Sequence, residues 1–276
     1  MGDAVLVAGG RPTTITVDDR APEGVHIAAA RLADDVQLVC GARPVIGAGG
    51  AATREASGVV VGLYDSKLFK DMGLKLDSLK GHREQFVITT VDGRIAIAGS
   101  DKRGAIYGIY ELSRQMGVSP WYWWADVPVV KRGDVAVRPG VYSDGQPAVK
   151  YRGIFLNDEA PCLTSWVKNH YGTGYGGHEF YRDVFELILR LKGNFLWPAM
   201  WGWAFYADDP ENGKLADKMG VVISTSHHEP MARNHQEWAR HRKENGAWNY
   251  QTNQKGCVKL FAEGIELMTG TEDVVT

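Results

Sequence analysis

Three short clusters in the second half of the chain carry residue types suited to holding and transforming hydroxyl-rich, ring-shaped ligands. The first, Asn157-Asp158-Glu159, closes the apolar stretch from Lys150 to Asn157. A carboxylate there can accept hydrogen bonds from hydroxyls or act as an acid or base. Neighbouring strand residues point to opposite faces, so at most alternate members share a pocket. The competing role for Asp158 or Glu159 is to cap the following loop. The second cluster, Trp197-Pro198-Ala199-Met200-Trp201, has Trp203 and Phe205 just beyond it. Indole faces lie well against the CH face of a pyranose. A packed lid is the alternative, and the two roles are compatible. The third cluster is His227-His228-Glu229. Its polar groups suit an acidic sugar or a general polar lining, while one of the pair can equally be a hydrogen-bonded structural histidine.

Other chemistries find less support. Two adjacent histidines on a strand cannot both reach one metal without a bend. No third ligand stands at a recognisable spacing, and the zinc-protease helix pattern is absent. Neither a metal nor a cofactor is expected. No Gly-x-Ser-x-Gly elbow occurs, and no cysteine has a plausible histidine partner. Cys40, Cys162 and Cys257 are far apart and odd in number, which argues against a disulfide framework and for small buried residues. Trp121-Tyr122-Trp123-Trp124 reads as domain-interface packing in preference to a ligand platform.

These clusters need elements to hold them. In the first region, Val36-Gln37-Leu38-Val39 and Val59-Val60-Val61 read as strands. Phe86–Val91 and Arg94–Ala98 flank Asp92-Gly93 and read as a tight hairpin. Ser100-Asp101 caps a helix over Ala105–Met116, with Ile106, Ile109, Tyr110 and Met116 near one stripe and Gly117 at its end. This predicts a small leading α/β (α+β) domain over residues 1–147. The Gly-, Pro- and Asp-rich stretch Lys131–Ala148 reads as a linker or a short exposed hairpin.

The second region, residues 148–276, alternates strand and helix. Strands are expected over Lys150–Asn157, Asn194–Trp197 and Val221–Thr225, and a fourth begins at Asp273. Helices are expected over Glu179–Lys192, with Phe180, Val184, Leu187, Ile188 and Leu191 buried, over Lys214–Met219, and across His235–Met268. That is the pattern of a parallel sheet, with the three clusters at the carboxyl ends of its strands. The expectation is an incomplete (β/α)8 TIM barrel, its first three to four strands, so the chain is expected to be a fragment. An open doubly wound sheet is the rival, but no Gly-rich phosphate fingerprint follows the first strand.

Composition narrows the partners. A net charge of -2 over 276 residues, with no run of five like charges, does not suggest a nucleic-acid surface. No apolar run approaches the length of a membrane span. The opening residues Met1–Gly10 lack the basic start of a secretory signal.

Taken in order, YRGIFLNDEAP, KGNFLWPAMWGWAF and TSHHEPM resemble glycoside hydrolase family 115, and GSDKRGAIYGIYELSRQMGVSPWYWWADVPV resembles the end of that family's leading domain. The resemblance implies an α-glucuronidase that releases (4-O-methyl)glucuronic acid from glucuronoxylan or aldouronic oligosaccharides by inversion. It implies that Asn157, Asp158, Trp197, Trp201, His227, His228 and Glu229 line the substrate pocket. It places the principal acid and base beyond Thr276, so this stretch alone is expected to be inactive. An extracellular location and dimerisation of full-length members are further implications. A non-catalytic sugar-binding chain and a glycosidase of related architecture, such as a β-hexosaminidase, are the alternative readings. In a completed enzyme, Asp158→Ala is expected to lower turnover far more than melting temperature; an equal loss of both would assign Asp158 to the fold.

Overall fold

The protein is described by a computed structural model that covers residues 2–49, 58–157 and 159–275, without the side chains of Ala48 and Glu159. It separates into two compact units: Met1–Lys150 with Leu189–Lys192, and Tyr151–Ile188 with Gly193–Thr276.

The first unit opens with β1 (Ala4–Ala8), β2 (Arg11–Pro12), β3 (Ile15–Val17), α1 (Glu23–Cys40), β4 (Ile46–Ala48), β5 (Gly58–Leu63) and α2 (Lys67–Asp71). It continues with β6 (Phe86–Val91), β7 (Arg94–Gly99), α3 (Lys102–Met116), β8 (Val135–Val137) and β9 (Val141–Tyr142). The main sheet runs β4-β3-β5-β7-β6-β9. Its first four strands are parallel, and β6 and β9 are antiparallel. Along the strands, alternate side chains serve opposite faces. Val60, Val87, Ala96 and Ala98 meet Leu68, Phe69 and Leu79 in one cluster. The helices α1 and α3 are packed together, and α3 approaches the sheet closely enough that a Cβ on Gly108 would lie 2.6 Å from Ile97.

Three expectations change here. Val36–Val39 is the last turn of α1, not a strand. Val25, Ala28, Ala29, Leu32, Val36 and Val39 recur at helical spacing and are all buried, and a four-residue apolar run cannot reveal that period alone. The Lys131–Ala148 stretch holds β8 and β9, but they pair with β1 and β6, not with each other. Leu191 falls beyond the end of its helix and is exposed, whereas Phe180, Val184, Leu187 and Ile188 are buried. The hairpin at Asp92-Gly93 and the Asp101 cap, which accepts from the Gly104 amide at 2.8 Å, are present as expected.

Arg190 and Lys192, in the segment Leu189–Lys192, both form ion pairs within the first unit. Arg190 donates to both oxygens of Asp35, each at 2.9 Å, with both side chains buried and the rings of Tyr110 and Tyr122 against the guanidinium. Glu111 accepts from Arg114, Gln115 and Lys192, and Lys192 also bonds Asp144.

The second unit holds β10 (Gly153–Phe155), α4 (Thr164–Tyr171), α5 (His178–Arg190, its last residues counted with the first unit), β11 (Phe195–Trp197), α6 (Phe205–Asp208), α7 (Glu211–Met219) and β12 (Val222–Ile223). Then come α8 (His235–Arg240), α9 (Arg242–Asn245) and α10 (Gln254–Met268). The single helix expected over His235–Met268 is thus three, interrupted at His241, which leaves helical geometry, and again from Gly246, whose φ is 79°, to Asn253. Strands β10, β11 and β12 are parallel and lie side by side in chain order. Val274 adds a parallel bridge to Ile223 where a fourth strand was expected.

Asn194 sets the start of all three strands. Its side-chain oxygen accepts from the Arg152 amide at 2.8 Å, its own amide donates to the Arg152 carbonyl at 2.7 Å, and its carbonyl accepts from Val222 at 2.7 Å. Gly153 leaves no room beside β11: an added Cβ would stand 1.7 Å from the Phe195 carbonyl oxygen.

Two outcomes follow. Gly153→Ala displaces β10 and leaves the second unit without its native sheet, seen as lost protection of the Phe195–Trp197 amides in hydrogen exchange. In Glu111, burial opposes ionisation, but the bonds from Arg114, Gln115 and Lys192 prevail and hold its carboxyl at about 2, below the ordinary 4.5. Its folded value is depressed, so its stabilisation is complete above pH 4.5 and is lost as pH falls towards 2. Glu111→Gln is therefore expected to flatten the acid limb of a melting-temperature profile across that window; an unchanged limb would contradict this account.

Candidate functional site

The carboxyl ends of β10, β11 and β12 lie along one edge of a parallel sheet, the edge at which such sheets place ligands. The ladder continues one residue past β10, where the Leu156 amide donates to the Trp197 carbonyl at 3.0 Å. Asn157, the next residue, is exposed, and Asp158 lies outside the described residues. Phe155 and Trp197 meet edge to face, with centroids 5.4 Å apart at 80°.

Beyond β11 the aromatic cluster divides. Trp203 and Phe205 are 3% exposed and pack into the core, whereas Trp201 is 49% exposed. Trp201 stands 5.2 Å from the ring of His235 and 5.9 Å from that of His228. His227 and His228 have ring centroids 4.0 Å apart, and both are exposed. With Pro230, His235 and Trp248 they line a cavity of ≈370 Å³. Burial, reinforced by His228 nearby, holds the His235 imidazole below the ordinary histidine pKa and favours its neutral form. Ser226 Oγ and His227 Nδ1 are 2.9 Å apart, which orients that ring.

The loops bearing these rings are held from beneath. Arg240 of α8 donates to the Gly202 carbonyl at 2.8 Å and also bonds Asp208, whose other oxygen accepts from the Ala204 amide at 2.7 Å. This clamp fixes the segment immediately after Trp201. Glu229 is 3% exposed; its carboxylate accepts from the Ser226 amide and from the side-chain amide of Asn234. Asn234 in turn caps α8 by accepting from the Gln236 amide at 2.6 Å. Met231 and Ala232 follow each other with φ of 55° and 58°, and α10 reaches this turn so closely that a Cβ on Gly264 would lie 2.1 Å from the Met231 carbonyl oxygen.

Of the residues singled out in the sequence, His227 and His228 thus line one cavity, and the Trp201 ring stands against His228 and His235 beside it. Trp197 joins Phe155, Asn157 stands exposed past β10, and Glu229 is taken up inside its loop and does not line the cavity. Arg233 is engaged by Glu237 and lies 3.7 Å from Glu263. His235 and Trp248 also line the cavity, and neither stands out in the sequence, where both fall inside the stretch expected as a single helix. Among the described residues, no group of three or more His, Cys, Asp or Glu side chains is placed to hold a metal ion.

Residues 144–276 match the family model Glycosyl hydrolase family 115. Among solved structures, the chain is similar to a family GH115 4-O-methyl-α-glucuronidase with specificity for decorated arabinogalactans, at TM-score 0.86 and 31% identity over 99% of this chain and 36% of that one. It therefore spans about a third of that enzyme's length. A Streptomyces plicatus N-acetyl-β-hexosaminidase shares the fold over 81% of this chain and 42% of its own, at TM-score 0.52 and 12% identity. No curated protein sequence matches.

Because the Glu229 carboxylate serves the loop, Glu229→Ala leaves the buried Asn234 amide without this acceptor and is expected to cost about 1–3 kcal/mol of stability. Urea denaturation measures this; an unchanged midpoint would show that the carboxylate does not hold the loop.

Proposed function

We propose that this chain, whose residues 144–276 match the glycosyl hydrolase family 115 model, contributes the leading domain and the opening strands of a (β/α) barrel to an α-glucuronidase. Support for the barrel comes from parallel strands laid side by side in chain order, with helices between them and ring-bearing loops after β11 and β12. The observation that carries the functional reading is the cavity lined by His227, His228, His235 and Trp248, with the exposed Trp201 ring beside His228 and His235.

In this reading the uronic acid ring lies against Trp201 or Trp248, where indole faces meet its CH groups. His227 and His228 donate to the uronate carboxylate, a role for which the engaged Arg233 is poorly placed. His235, held neutral, offers a hydrogen bond without adding charge. Asn157, exposed just past the end of β10, reaches the sugar from that strand. The acid and base lie beyond Thr276, and the reaction proceeds with inversion, one carboxyl protonating the leaving oxygen while the other activates water across a gap of about 6.5–9.5 Å. Glucuronic acid borne on xylan is the substrate we favour. The arabinogalactan specificity of the structurally similar enzyme makes a decorated galactan the second choice.

Titration of the protein with 4-O-methylglucuronate and with methyl glucoside, followed calorimetrically, tests the reading. A charge-assisted hydrogen bond is worth roughly 1.5–3 kcal/mol, so the acid is expected to bind about tenfold or more tighter than the neutral sugar. His228→Gln should erase that preference. Equal affinity for the two ligands, or none for either, would overturn the assignment.

A further inference from the structure

A second cavity of the same unit, ≈120 Å³, is lined by Tyr171, Tyr175, His178, Glu179, Phe180 and Asp209, among others. It lies between the loop before α5 and the turn before α7, apart from the residues that line the histidine cavity. We propose that it is a subsite for one neutral pyranose of a polysaccharide, with His178 as its orienting hydrogen-bonding group; the inference rests on the carbohydrate reading above.

The aromatic side combines a fixed ring with an exposed one. Tyr171 donates its hydroxyl to Asp183 at 2.7 Å and packs edge to face on the buried Phe180, at 5.9 Å and 77°. A ring held this way presents its CH-binding face with little entropy left to lose. Tyr175 stands more than a third exposed at the cavity, open to a ligand.

The polar side is equally constrained. One oxygen of Asp209 accepts from both the backbone amide of His178, at 2.9 Å, and its ring Nδ1, at 2.7 Å. The other accepts from the Glu211 amide at 3.0 Å. Burial alone would raise the Asp209 pKa, but these donors hold the carboxyl below its ordinary value, so it is charged. With Nδ1 engaged by Asp209, Nε2 is left to hydrogen-bond a ligand hydroxyl. The His178 side chain is about half exposed, so that nitrogen is reachable.

The charge of the lining selects the ligand. Asp209 and Glu179 both border the cavity, and carboxylates accept from sugar hydroxyls but repel a uronate. The volume holds several waters, hence one sugar ring and no more. The subsite would thus take an undecorated sugar of the polymer, the complement of what the histidine cavity takes.

NMR titration with xylotriose and with galactotriose, reading the His178 ring and the Tyr175 amide, decides the matter. Saturable shifts at both residues with either trisaccharide are expected, and none with glucuronate. The solvent-facing variant Tyr175→Ala should weaken the trisaccharide about fivefold to tenfold, and His178→Gln should weaken it as well while glucuronate affinity is unchanged. Trisaccharide binding that leaves His178 and Tyr175 unmoved, unchanged affinity in both variants, or no trisaccharide binding at all would each overturn the subsite. If glucuronate still binds in those cases, only the subsite fails; if glucuronate fails too, the reading beneath it is at fault.

Discussion

The second unit depends on a single buried asparagine. Through its side-chain oxygen, its amide and its carbonyl, Asn194 fixes where β10, β11 and β12 begin, and so pairs Gly153 with Phe195 and Phe195 with Val222. Side chains alternate along a strand, so a slip of one residue would turn every one to the opposite face. Phe155 would leave Trp197, and the chain after β12 would deliver His227 and His228 to the wrong side. The ligand-facing edge is therefore decided at the other end of the strands, by main-chain hydrogen bonds that touch no ligand.

Above that register, polar groups fall into two populations. Asp208, Arg240, Glu229, Asn234 and Arg233 are consumed within the loops. His227 and His228 remain open to the cavity, and Trp201 stays exposed beside His228. The first holds the second still, which is the condition for a site to bind by preorganisation. The first unit uses charge differently. Its Arg190–Asp35 pair is fully buried and bidentate, an arrangement that is weak evidence for stability but costly to break from one side only.

Much of this was legible in the residues. Strand-end clusters, the Asp92-Gly93 hairpin and the Asp101 cap announced themselves because each depends on local spacing or a specific backbone conformation. Helix α1 did not. Its alanine-rich face, from Ala28 to Ala33, carries little apolar contrast, so the run Val36–Val39 dominated the pattern. The partners of β8 and β9 were equally hidden, since pairing with β1 and β6 spans most of the unit and no local signal encodes it. At the site, the exposed role of Trp201 and the buried one of Trp203 could not be separated by composition. That division comes from the Arg240 clamp, a contact from a helix some forty residues away. His235 opens α8 and Trp248 lies past α9, and helical periodicity across the expected His235–Met268 helix does not bring the two to one cavity.

Two points in the second unit bring main chain against main chain: Gly153 against Phe195 and Gly264 against Met231. Any codon change away from glycine adds a Cβ where a carbonyl oxygen already stands. Neutral drift is therefore closed at these two positions even though neither meets a ligand. Divergence among related chains must pass around them, or rebuild the strand edge and the turn together.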